Sequence, residues 1–111
     1  MNDSTATNEE YKEIGYQFLN AYQNMRRSLD RLTTIIEKDS RCARCAASVI
    51  LYAHNKSGPI YDLHLLEKED FDAAVFVIDA SRDVQNGLYG RLAYGKNAAE
   101  ALERLEDILN N

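Results

Sequence analysis

The sequence predicts an all-α fold: a small bundle of about four helices with a long amphipathic helix at its N-terminal end. Three observations predict it. Apolar residues recur with the helical period over residues 11–36, again over 71–78, and again over 98–109. One proline and five glycines in 111 residues are few for a loop-rich or disordered chain. Only Tyr61, Leu63 and Leu65 alternate like a strand, and the sequence offers that segment no mate.

The first helix is expected over residues 9–38, about 45 Å at 1.5 Å per residue. Thr7 and Glu10 stand at capping-box spacing, and Glu9 falls in the first turn, where the helix dipole favours an acid. The first eight residues are expected to fray. Tyr11, Phe18, Met25 and Leu32 recur every seventh position, with Tyr22, Leu29 and Ile36 interleaved and Gly15 in the one weak slot. This is the 3,4 spacing of a heptad seam. Ile14, Ala21 and Ile35 widen it into a stripe that also suits a bundle. A helix of this length exceeds what a domain of this size needs, so part of it is free to meet a partner.

A second helix is expected over residues 40–55, with Cys42, Cys45, Val49 and Tyr52 on one face and Ala46 and Ala53 beside them. Nothing from Lys38 to Ser40 forbids a continuous helix, so that boundary stays open. Asn55, Lys56, Ser57, Gly58 and Pro59 form a firm break. Residues 60–66 read as a short helix or extended linker. A third helix is expected over 69–85, with Phe71, Ala74, Val75 and Ile78 at helical spacing and Asn86-Gly87 as its stop. Gly87, Gly90 and Gly95 weaken any helix between residues 88 and 96, by about 1 kcal/mol each. Asn97 and Glu100 then open a closing helix carrying Ala98, Leu102, Leu105 and Leu109.

The length is that of one domain spanning 1–111. The net charge of −5 is unevenly spread. Residues 26–56 carry seven Lys/Arg against three acids, and residues 57–86 carry two against seven. Such an acidic chain does not favour loose binding to nucleic acid or anionic lipid. With no apolar leader and no run of membrane-spanning length, the expected location is the cytoplasm, with no membrane partner and the thiols reduced.

Cys42-Ala43-Arg44-Cys45 is a C-x-x-C, yet it lacks the alternating α/β context of redox motifs. His54 and His64 would complete a zinc set only at spacings wrong for a zinc finger. Two small core residues is the simplest reading of the pair; a metal or redox site at Cys42 and Cys45 is the alternative. The Glu-x-x-His pairs of di-iron bundles, the P-loop and the nucleophile elbow are all missing, so neither catalytic residues, metal ligands nor cofactors are assigned.

Arg26, Arg27, Arg31, Lys38, Arg41 and Arg44 form a basic series. Arginine suits bidentate contact with carboxylate or phosphate. Arg26, Arg27, Arg31, Arg41 and Arg44 are therefore candidate partner-binding residues, facing an acidic protein or, alternatively, RNA or a nucleotide. The competing reading pairs them within the chain, with Asp30, Glu37 and the acidic residues of 62–83. The functional expectation is a non-enzymatic interaction module of adaptor or inhibitor type that binds a protein partner. It would form a homodimer through Tyr11, Phe18, Tyr22, Met25, Leu29 and Leu32.

Overall fold

The computed structural model describes the backbone of residues 8–82 and 88–110, and the side chains of residue 20, residues 22–82 and residues 89–110. The expected capping box at Thr7, the fraying of the first residues and the stop at Asn86-Gly87 lie outside these, in whole or in part.

The all-α bundle forms. Five α-helices lie among the described residues: α1 (Asn8–Lys38), α2 (Ala43–Asn55), α3 (Lys68–Ser81), α4 (Leu88–Tyr94) and α5 (Ala98–Asn110). Short 3-10 turns occupy Leu63–Leu65 and Gly95–Asn97.

The open boundary near residue 39 resolves as a break. The carboxylate of Asp39 accepts the amides of Arg41 (3.1 Å) and Cys42 (3.3 Å), and its carbonyl accepts the Cys42 amide as well (3.1 Å). A short aspartate side chain thus offers these amides an alternative to continuing the helix. The chain turns, and Cys42 becomes the N-cap of α2.

Helix α2 is the centre of the bundle, packing against α1, α3, α4 and α5. The expected Cys42, Cys45 and Val49, with Ala46 and Ala53 beside them, are buried, whereas Tyr52 of that face is half-buried; burial extends further, to Ala47, Ser48, Ile50 and Leu51. A helix apolar on nearly all sides is one surrounded by others, and its alanines let those neighbours approach. Leu29, Leu32 and Ile35 of α1, Ala74 and Val77 of α3, Tyr89 of α4 and Leu105 of α5 complete one continuous core.

Left-handed backbone at Lys56 (φ 57°) ends α2, its amide donating to the carbonyl of Tyr52 at 2.6 Å. Gly58 (φ 105°) and Asp62 (φ 62°) bend the linker further. Ser48 ties this linker down from α2. Its hydroxyl donates to the carbonyl of Cys45 (2.7 Å) and accepts the amide of Tyr61 (3.0 Å). The strand-like alternation at Tyr61, Leu63 and Leu65 is therefore irregular chain, left-handed at Asp62, running into a 3-10 turn.

Helix α3 sits at a different rotation from the one its sequence suggests. Ala73, Ala74, Val77 and Ser81 face inward, whereas Phe71 and Val75 of the expected inner stripe are exposed. The segment weakened by glycines still closes into the short α4, because it packs against α1, α2 and α5. No helix among the described residues is long and apolar enough to cross a membrane.

Candidate functional site

Helix α1 holds 31 residues, about 46 Å, against 13 or 14 residues and about 20 Å for α2, α3 and α5. None of them can cover it end to end, and the described chain extends 60 × 29 × 21 Å. The heptad stripe divides accordingly. Leu29 and Leu32 are fully buried within the chain's own core, and Met25 packs half-buried against it. In this fold those three stabilise the bundle, and the two leucines offer nothing to a second copy. Tyr22, one heptad before Leu29, is 49% exposed. Its neighbours Asn20, Gln23 and Asn24 are exposed as well. The side chains of Tyr11 and Phe18 lie outside the described residues.

The basic series is largely engaged within the chain. Arg26 donates to the backbone carbonyl of Leu92 in α4 and pairs with Asp30 one turn along, at 2.9 Å. Arg31 reaches across to α3, meeting Glu69 at 2.9 Å and Asp70 at 3.3 Å. Arg44 lies 3.9 Å from the Asp62 carboxylate, with its guanidinium 4.0 Å above the Tyr61 ring. Arg27 and Arg41 are exposed and pair with no carboxylate among the described residues.

Arg27, Arg31 and Lys38 line an open cleft of about 500 Å³ between α1 and the start of α3. Asp30, Asp39 and Asp70 line the same cleft, so three carboxylates balance three cations there. A phosphate would meet as much repulsion as attraction. The acidic segment folds back onto part of the expected basic face, at Arg31 and Arg44, and leaves Arg27 and Arg41 without an ion pair among the described residues.

The two cysteines are free thiols, Cys42 6% exposed and Cys45 fully buried. Burial pushes the Cys45 thiol up to about 11, with Cys42 and Asp62 adding to the effect. Burial also raises Cys42, reinforced by Asp39 and only partly opposed by Arg41. Since the thiolate is the nucleophile and the metal ligand, this environment is the reverse of a reactive one. Among the described residues, no group of three His, Cys, Asp or Glu is placed to hold a metal ion.

A second surface arises on α3, where Phe71, Val75 and Phe76 are exposed. Sequence reading placed Phe71 and Val75 inside and passed over Phe76. The usable signal was the width of the apolar arc. Phe71, Ala73, Ala74, Val75, Phe76, Val77 and Ile78 cover far more of the circumference than one packing face takes up.

Compared with models of known protein families, with curated proteins and with solved structures, the chain matches none of them.

Proposed function

We propose that this chain is a non-enzymatic, cytoplasmic helical interaction module of adaptor or inhibitor type, which self-associates through the N-terminal half of α1 and binds a protein partner. One observation carries the reading: Tyr22 is half exposed on the same heptad stripe whose later members, Leu29 and Leu32, are wholly buried. A stripe that closes a core at one end and continues into solvent at the other is built for a second helix. A second copy supplies one, since an isologous pairing sets the same stripe against itself. The sequence continues the stripe upstream through Phe18 to Tyr11. Tyrosines such as Tyr11 and Tyr22 bring large apolar area together with a polar tip, which suits a surface that is wet in the monomer and buried in the dimer.

Light scattering after size exclusion, across a concentration series, tests this reading. The expected species is a dimer whose mass is insensitive to salt. Tyr22→Lys should shift it to monomer while leaving the helical circular dichroism intact. A chain that stays monomeric at high micromolar concentration would overturn the self-association.

A further inference from the structure

We infer that the cavity between α1 and α5 binds a free amino acid with an apolar side chain. Ile36 and Glu37 of α1 form one wall, and Ala101, Arg104 and Leu105 of α5 form another. Tyr94, at the end of α4, and Asn97, in the turn that follows, close it between them. The volume of about 210 Å³ lies below the roughly 300–1,000 Å³ of sites for drug-sized ligands, so the occupant is small. Leu105 is buried, and Ile36, Tyr94 and Ala101 are half-buried, which gives the cavity an apolar floor.

Its rim carries one charge of each sign. Glu37 and Arg104 are exposed, and neither forms an ion pair, with the other or with any group among the described residues. Burial raises the Tyr94 phenol, Arg104 draws it back down and Glu37 pushes it up again, so both charges stand near its hydroxyl. Two opposite charges that share a cavity without meeting define the chemistry of the guest. A phosphate is attracted by Arg104 and repelled by Glu37, and a simple cation meets the reverse. A zwitterion answers both: its carboxylate faces the Arg104 guanidinium, and its ammonium faces the Glu37 carboxylate. The Asn97 amide supplies a further donor at the same cavity. An α-amino acid carries both charges on one carbon and leaves its side chain to the floor, where apolar area is removed from water. The cavity is separate from the exposed part of the α1 stripe, and its use does not depend on self-association.

The isotope-labelled full chain is titrated with leucine, with leucinamide, which lacks the carboxylate, and with N-acetylleucine, which lacks the ammonium, and followed by NMR. Leucine should shift the amides of Tyr94, Asn97 and Ala101 in a saturable way. Each capped form should bind at least about tenfold more weakly, because it leaves one charge of the site unanswered. Arg104→Gln and Glu37→Gln should each weaken leucine binding at least about tenfold. Both side chains are exposed, so neither change threatens the fold. Arg91→Gln with Glu106→Gln removes one charge of each sign at exposed positions outside the cavity, and should alter binding by no more than about twofold. Tyr22→Lys should bind leucine normally even where it abolishes the dimer. No saturable shift with leucine, equal binding of either capped form, or equal weakening by the outlying pair would overturn the inference.

Discussion

Gly90 of α4 lies directly against the imidazole of His54 in α2. A Cβ at position 90 would stand 2.9 Å from Cε1, closer still to Nδ1, and 3.0 Å from Leu102 Cδ1. Real Cβ atoms do not tolerate such approaches, so the α2–α4 spacing is set by the absence of a side chain. Gly90→Ala should gain about 1 kcal/mol of helix propensity and lose about 1–3 kcal/mol to overpacking. The loss should win, and urea denaturation should register a less stable protein. A variant as stable as the parent would mean that the two helices do not approach this closely.

Ser48 offers a sharper test of a single hydrogen bond. It is 1% exposed, and its hydroxyl is the acceptor for the Tyr61 amide. Ser48→Ala strands that half-buried donor and should cost about 1–2 kcal/mol. Exchange of the Tyr61 amide should accelerate more than exchange of amides inside α2. Uniform acceleration would instead indicate a general loss of stability.

Tyr22 and Leu29 occupy equivalent heptad positions but should answer differently to truncation. Leu29→Ala empties a fully buried site and should cost about 2–5 kcal/mol. Tyr22→Ala should change thermal stability at high dilution by no more than about 0.5 kcal/mol. Equal costs at the two sites would contradict the burial described here.

The Arg31 bridge to Glu69 is solvent-exposed and the longer one to Asp70 is partly buried, and pairs still open to water contribute little. Arg31→Gln should cost no more than about 1 kcal/mol, with the difference fading at high salt. A larger cost, unmoved by salt, would mean that the bridge organises the α1–α3 packing.

Cys45 predicts an alkaline limb in the stability profile. Its thiol is raised from an ordinary 9.0 to about 11 in the folded chain. Below about pH 9 the thiol is protonated in both states. Between about pH 9 and 11 the unfolded chain loses that proton first, so stability falls as pH rises, by up to about 3 kcal/mol. Cys45→Ala lacks this contribution, so its stability deficit relative to the parent should shrink across that window. A deficit constant from pH 8 to 11 would exclude the effect.

The inner part of α1 was legible because its side chains, Leu29, Leu32 and Ile35, are large, and only one rotation of the helix buries all three. The rotation of α3 was not. Its inner face is Ala73, Ala74, Val77 and Ser81, small side chains that bring the helix in close, and Phe71 and Val75 mislead by being more apolar than the residues that pack. Helix α4 was hidden for a related reason: glycine is costly in isolation, yet Gly90 is what the approach to His54 demands. The arginines were legible as a group, but their partners were not, since pairing Arg31 with Glu69 and Asp70 takes the fold to bring residues nearly forty positions apart together. Candidate surfaces suffer most, because exposure is what remains after every other packing choice has been made.

The two buried thiols also make the molecule its own clock. A neutral alkylating reagent cannot reach Cys45 until α2 parts from its neighbours, and α2 touches four other helices. Its labelling rate under native conditions therefore counts openings of the whole assembly of helices. Cys42, at the N-cap of the same helix with its thiol against the Leu65 carbonyl, reports a smaller opening there. The ratio of the two rates would tell how much of the protein must come apart at once.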